Sequence, residues 1–395
     1  MKSIKAKNKI KIVYLLNSLE IGGTQKVVLD LCINVDLEKF DITIVVLSRN
    51  YDILSQYQLP LWIKIIYTDY LFENNYSLRS HLKLALFKKI TQKRAKQVLK
   101  IISDIKPDIL HLHTTPRELL IGILAQNQIH CELVYTDHLV RLKQNEYKWY
   151  IQFLLIRIFR RLYKYYNLIA VSKTVEFTIK QFDWFNNNKT FKLIENTIDL
   201  KTFTPKNKKQ KNYISVVYVA RLESIKGHFD LLEAWKKIDS PVNKKLFIVG
   251  DGVLRERIEH FIAESKLENS VVLLGKRNDI YEILNEADIA VFPSHNEGLP
   301  LSLLEKMAME LPIVASDTNE LSSIIINNFN GLLFKCGNSD DLAKKLSIFL
   351  ADEPLRKQLG KNARETVIKD FSINTAEQNE KFYLSVLDKN KNDVN

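Results

Sequence analysis

Cysteine, glycine and proline are all scarce in this chain of 395 residues, and each shortage excludes something. The three cysteines, Cys32, Cys131 and Cys336, stand far apart in apolar surroundings and show neither metal-ligand nor disulfide spacing. They read as reduced core residues of a cytoplasmic protein, not as a zinc site or a secreted disulfide frame. With only 11 glycines and 9 prolines the composition argues against a fibrous or disordered chain. No apolar run reaches the roughly eighteen residues that a membrane-crossing helix needs. The best stretch, 149–169, is broken by Arg157, Arg160, Arg161 and Lys164. The opening MKSIKAKNKIKIVYLL is basic, but its apolar run is short and reads better as a first strand than as a signal peptide.

What is present points to a large globular protein. A hydrophobic content of 46% over 395 residues suits two domains, each with a core of its own. Charge is divided unevenly. Residues 1–197 carry 30 Lys and Arg against 17 Asp and Glu, a net of +13, whereas the remainder nets −1. Such asymmetry predicts that the first half meets a polyanion or an anionic membrane surface. The run WYIQFLLIRIFRRLYKYY (149–166) joins large apolar residues to four cations, and Lys88, Lys89, Lys93, Arg94 and Lys96 form a second basic cluster. A helix of the first kind suits a membrane interface, or else a core helix with a solvated basic face. No nucleic-acid module and no aromatic and basic alternation is seen, so no nucleic-acid partner is expected.

Apolar strands alternate with amphipathic helices throughout. IKIVYLL (10–16), DITIVVL (41–47), DILHLH (108–113), ELVYTD (132–137) and LIAVS (168–172) read as strands of the first half, with a helix over 24–33. Uniformly apolar strands separated by helices indicate parallel sheets covered on both faces. The polar segment KTFTPKNKKQK (201–211) lacks periodicity and precedes a new strand, which marks a domain boundary. The fold class expected is α/β, with two Rossmann-like domains, 1–200 and 201–371, whose parallel sheets face each other across a cleft.

The stretch FPSHNEGLPLSLLE (292–305) carries the densest chemistry. It follows the strand-like ADIAVF and leads into the helix-like LSLLEKMAM, so it is a loop ending at a helix N-terminus, where anions and hydroxyls bind most readily. Glu297 falls in the loop and Glu305 about a turn into the helix. From spacing alone the two carboxylates either share one crevice or are merely solvated charges. Gly22 and Gly23, between the first strand and its helix, allow close backbone approach to a phosphate or sugar. His111 and His113 end another strand; His111 reads as packing and His113 as a candidate cleft residue. Without further ligands beside them, no metal is expected.

The ordered segments VVYVARLESIKGHFDLLEAW (216–235), LFIVGDGVLRERI (246–258), VVLLGKRNDIYEILNEADIAVFPS (271–294) and the two glutamates eight apart resemble the retaining, nucleotide-sugar-dependent glycosyltransferases of the GT-B fold, family 4, of the surface-polysaccharide type. The resemblance runs from Lys11 to about Leu387. It implies a nucleoside diphosphate sugar as co-substrate, with no metal or other cofactor. It implies that Arg221 and Lys226 hold the diphosphate leaving group, the Arg as a bidentate fork and the Lys as a point charge. Glu305 is implied to take the ribose hydroxyls, and Glu297, with the backbone of Gly298, Leu299 and Pro300, the donor sugar and phosphate. Gly250 and Gly252 allow a tight turn by the nucleotide, with Asp251 capping the following helix, and Arg277 borders the base. His138 looks like the histidine that the family places beside the donor sugar, near the Gly22 and Gly23 turn. The last helix, within 372–395, is implied to return to the first domain ahead of a polar tail, with Ser or Asn as its cap. The acceptor is implied to be a carbohydrate, lipid-linked, with the protein peripheral on the inner face of the cell membrane. The chain departs from the family at Thr24 and Gln25, at Glu310 where glycine is usual, and along 315–324. Two alternatives remain: a nucleotide-sugar epimerase on the same fold, and a non-catalytic basic nucleic-acid binder.

Overall fold

The structure, a computed structural model, describes residues 9–19, 22–48, 59–68, 88–113, 119–138, 149–186, 188–297, 299–372 and 374–393. The chain forms two compact units, Met1–Glu195 with Asn374–Asn395, and Asn196–Ile373. Each is built on one parallel sheet.

The first unit holds seven strands: β1 (Ile10–Leu16), β2 (Phe40–Val46), β3 (Lys64–Tyr67), β4 (Ile109–His113), β5 (Glu132–Asp137), β6 (Asn167–Ala170) and β7 (Phe191–Leu193). They run in the order β3-β2-β1-β4-β5-β6-β7, each pair parallel. β4 and β5 are buried along their whole length, as the uninterrupted apolar runs require when helices cover both faces. β1 turns into the helix Gly23–Ile33, whose Val27, Val28, Leu31 and Cys32 are buried.

The helix Thr375–Asp393 closes this unit. Asn374 caps it, its Oδ1 accepting from Ala376 N at 3.0 Å and Glu377 N at 3.3 Å. Its buried Phe382, Tyr383 and Val386 pack inward, and Glu380 Oε1 accepts from Asp36 N at 2.7 Å. Where a polar tail is expected to follow the last helix, the helix instead runs on through DKNKND to Asp393, because that segment contains neither glycine nor proline to stop it.

The second unit holds β8 (Ile214–Val219), β9 (Lys244–Val249), β10 (Val271–Gly275), β11 (Ile289–Phe292), β12 (Ile313–Ser316) and β13 (Leu332–Phe334), in the order β10-β9-β8-β11-β12-β13. Its core gathers Val216, Tyr218, Leu231, Trp235, Ile248, Ile289, Val291, Leu346 and Phe349. In both sheets the strand order reverses beside the first strand, between β1 and β4 and between β8 and β11. Loops leaving neighbouring strands on opposite sides of such a point part company and leave a crevice at the carboxyl ends.

Candidate active site

In the second unit the crevice forms where β8 and β11 end. After β8 the chain passes Arg221 and makes a short 3₁₀ turn, Ser224–Lys226, ending at Gly227 with φ +70°. After β11 it runs through Pro293 to Pro300, which caps the helix Leu301–Ala308. These two loops are fastened together. Lys226 Nζ donates to Glu297 Oε1 at 2.6 Å, with the two side chains only 16% and 11% exposed. His295 N donates to Ile225 O at 2.9 Å, and His295 Nε2 lies 2.5 Å from Asp230 Oδ2. Gly227 packs so closely that a Cβ there would sit 2.1 Å from Pro293 O. The buried Tyr218 donates its hydroxyl to Lys226 O and so fixes the turn from below.

The loop after β9 joins the same surface. Gly250 (φ +138°) would place a Cβ 1.9 Å from Ala220 O, so only glycine lets the loops after β8 and β9 meet backbone to backbone. Gly252 repeats the contact, with a Cβ falling 2.7 Å from Leu222 O. Asp251 does not cap the helix, as the sequence suggests. Its Oδ1 accepts from Gly252 N at 2.8 Å, and the helix starts only at Arg255 with Leu254 at its cap, because the chain first folds back onto Leu222.

Arg221 is 64% exposed and paired with Glu223 at 2.7 Å, which leaves its fork accessible to a ligand. Arg277, beyond β10, is held by Asp279 at 2.7 Å through its Nε, and that guanidinium lowers the Asp279 carboxyl below its usual range. Glu305 is buried on the helix Leu301–Ala308, and Leu299 and Pro300 are buried at its start. Leu299 O accepts from Asn196 Nδ2 at 3.2 Å, which ties the loop to the beginning of this unit. Gly298 lies outside the described residues.

In the first unit, Gly22 is extended (φ −172°) ahead of the helix that begins at Gly23, and a Cβ on Gly23 would meet nothing within 4 Å. His138 follows β5 half-buried, its Nε2 2.9 Å from His113 Nδ1. The His113 ring lies against that of His111, 4.2 Å between centroids and tilted by 43°. His111 is a hub as well as a packing residue: Nδ1 bonds Tyr383 OH at 2.7 Å and Nε2 bonds Thr136 Oγ1 at 2.8 Å. Burial holds the imidazoles of His111 and His113 well below their usual pKa, so both are neutral. Among the described residues no group of three or more His, Cys, Asp or Glu is arranged to hold a metal ion.

Two adjoining families account for nearly all of this chain. The glycosyltransferase family 4 description fits residues 21–202, and the description "glycosyl transferases group 1" fits residues 200–366. The chain belongs to these glycosyltransferases. Similarity to the UDP-Gal:alpha-D-GlcNAc-diphosphoundecaprenol alpha-1,3-galactosyltransferase of Escherichia coli is 27% and spans 94% of the chain and 95% of that protein. The N-acetyl-alpha-D-glucosaminyl L-malate synthase of Bacillus anthracis is 29% identical over 52% of the chain and 56% of that protein. Among solved structures, Anabaena HepE in complex with UDP and glucose superposes with a TM-score of 0.74 at 20% identity, over 95% of the chain and 99% of its own. The fold of the glycosyltransferase is therefore GT-B.

Within the glycosyltransferase's second unit, Lys226 and Glu297 are in contact, and Arg221, Gly250 and Gly252 lie on the adjoining loops. Sequence reasoning missed Gly227, Tyr218, the His295–Asp230 contact and Lys306. Only Gly227, in Lys-Gly-His after a strand, carries a local signal. The others depend on pairings that no spacing reveals.

Proposed function

We propose that the protein transfers a sugar, with retention of anomeric configuration, from a UDP- or GDP-linked donor to a carbohydrate acceptor carried on a lipid diphosphate, in the synthesis of a surface polysaccharide. The observation that carries this reading is the largely buried Lys226–Glu297 pair at the carboxyl ends of β8 and β11, with the exposed Arg221 on the same loop as Lys226. Breaking the bond from the sugar C1 to the phosphate oxygen leaves an electron pair on the diphosphate. Arg221 and Lys226 stabilise that charge, already in place before the bond breaks. Protein cations supply the neutralisation, so the chemistry is assigned no metal. The acceptor hydroxyl attacks C1 on the face the diphosphate leaves, and its proton passes to the departing phosphate oxygen. Glu305 takes the ribose hydroxyls. Glu297, with the backbone of 298–300, holds the sugar and phosphate. Arg277 borders the base, Gly250 and Gly252 shape the nucleotide turn, and His138 with Gly22 and Gly23 serves the sugar.

The donor class is supported by the Anabaena neighbour bound to UDP and glucose, and the acceptor class by the diphosphoundecaprenol-linked substrate named for the Escherichia coli relative. The surface of the first unit fits a peripheral role at the cytoplasmic leaflet. The helix Trp149–Tyr163 exposes Phe153 (58%) and Leu154 (39%), with the Arg157 guanidinium over the Phe153 ring. Among the described residues no helix is long and apolar enough to cross a membrane.

The test is incubation with a panel of UDP- and GDP-sugars and a saccharide on a lipid diphosphate. Release of UDP or GDP that depends on the acceptor is expected. Conversion of a donor into another sugar nucleotide without acceptor would instead mark an epimerase, and salt-sensitive RNA or DNA binding without sugar-nucleotide binding would mark a nucleic-acid binder.

A further inference from the structure

Lys306 is wholly buried, and lysine is almost never so unless its charge has a task or a partner. It lies on the helix Leu301–Ala308, next to Glu305, in a segment otherwise made of Leu, Ser, Met and Ala. Its Nζ donates to Ser302 O at 2.9 Å and sits 5.1 Å from the centre of the Phe292 ring, at the end of β11. The ammonium therefore lies beside the end of β11, where the loop that carries Glu297 begins.

The charged groups acting on it are Glu305 on its own helix, Glu297 on the loop after β11 and Lys226 on the turn after β8. From the helix Glu353–Asp370, packed on the same helix, comes Arg364, which donates to Ala308 O and lies 3.7 Å from Glu310. β12, the next strand, brings no charge. The cluster nearest the proposed diphosphate site thus holds two carboxylates, Glu297 and Glu305, against two ammonium groups, Lys226 and Lys306. It is neutral only while Lys306 is protonated. Without that proton the cluster carries one net negative charge where a dianion has to bind, in a setting of low dielectric that screens it poorly.

We propose that Lys306 is a positioning residue of the donor site, whose buried charge cancels one of the two glutamates and so permits a nucleoside diphosphate to bind. This rests on the donor-site reading above. Burial pushes the Lys306 ammonium down to about 8; Glu305 and Glu297 act against that fall and Lys226 adds to it. The charged form prevails below that pH and is lost above it. Donor affinity is thus full near neutrality and falls on the alkaline side.

The experiment is calorimetric titration of the full chain with UDP and with GDP at pH 7.5 and 8.5, for the wild type and Lys306→Met. For wild type, affinity is expected to weaken roughly threefold between the two pH values if only the protonated form binds. Lys306→Met replaces a buried charge by an apolar chain of similar length but leaves one glutamate without its counter-charge, so its Tm is expected to fall while the variant still folds. Its affinity should be weak at both pH values and flat between them. In the steady state the loss should appear in donor KM ahead of kcat. A lysine that serves only to pack would give Lys306→Met a wild-type affinity and pH response, which overturns the proposal. Should the variant not fold, Lys306→Gln, polar and uncharged at every pH, takes its place, and a wild-type donor affinity in that variant also overturns the proposal. Absence of any UDP or GDP binding at either pH would overturn the donor-site reading itself, and this assignment with it.

Discussion

Arg221 and Lys226 carry the same formal charge five residues apart, yet their surroundings separate what each contributes. Arg221 is 64% exposed, and its contact with Glu223 is a surface pair. Arg221→Ala is therefore expected to leave unfolding free energy within about 0.5 kcal/mol. Lys226 is 16% exposed against Glu297, and removing it leaves a carboxylate without its partner. Lys226→Ala is expected to cost about 2 kcal/mol, below the ~3–5 kcal/mol typical of fully buried pairs because some water still reaches this one. Both should lower turnover by about 10²-fold, as loss of a donor aimed at developing charge does elsewhere. Urea unfolding together with steady-state kinetics checks the contrast, and activity within twofold of wild type for both variants would mean that the diphosphate binds elsewhere. The glycines separate in the same way. Gly250→Ala forces a Cβ to 1.9 Å from Ala220 O at φ +138°, and should cost about 3 kcal/mol. Gly23→Ala meets open space at the first turn of a helix and should raise stability by about 0.5 kcal/mol. Any loss of activity in that stable variant would then report close approach of a ligand to the Gly22 and Gly23 turn.

The loops and helices show which features a sequence displays and which it hides. Parallel strands buried on both faces are continuous apolar runs, so β1 and β5 fall on the spans their sequences predict. The order of the strand-end motifs was legible too, because each lies within a few residues of the strand that positions it. Contacts across long separations were not. Lys226 and Glu297 meet over 71 residues and His111 and Tyr383 over 272, and neither partner bears a local mark of the other. Lys306 stayed hidden because a lysine in LSLLEKMA has the same period whether it faces water or the core. The helix Thr375–Asp393 gives a direct measure of such a contact. Tyr383 OH joins Tyr14 OH at 3.0 Å and His111 Nδ1 at 2.7 Å, all three side chains being buried. Tyr383→Phe leaves two buried polar groups short of a partner and should lower the stability of the first unit by about 2 kcal/mol. Hydrogen exchange in the last helix should rise in that variant; unchanged protection there would show that the helix is held by its apolar face alone.

Taken as one molecule, the chain puts its net +13 in the first 197 residues and leaves the remainder near neutrality, at −1. That division suits an acceptor presented at an anionic surface, to which each nearby basic residue contributes about 1 kcal/mol. Arg160 is already paired with Asp183, so Arg157, Arg161 and Lys164 should carry most of the effect on the helix Trp149–Tyr163 and just beyond it. Sedimentation with liposomes should show binding that needs anionic lipid, weakens at high salt and drops when these three become Gln; binding indifferent to all three removes the membrane assignment and leaves the transferase untouched. The central claim is retaining transfer, and the product of a single turnover tests it most directly. The anomeric proton of the transferred sugar, read by NMR, should show the same configuration as in the donor nucleotide sugar. An inverted linkage would contradict the account, since the same-face attack assisted by the departing diphosphate at Arg221 and Lys226 cannot produce it.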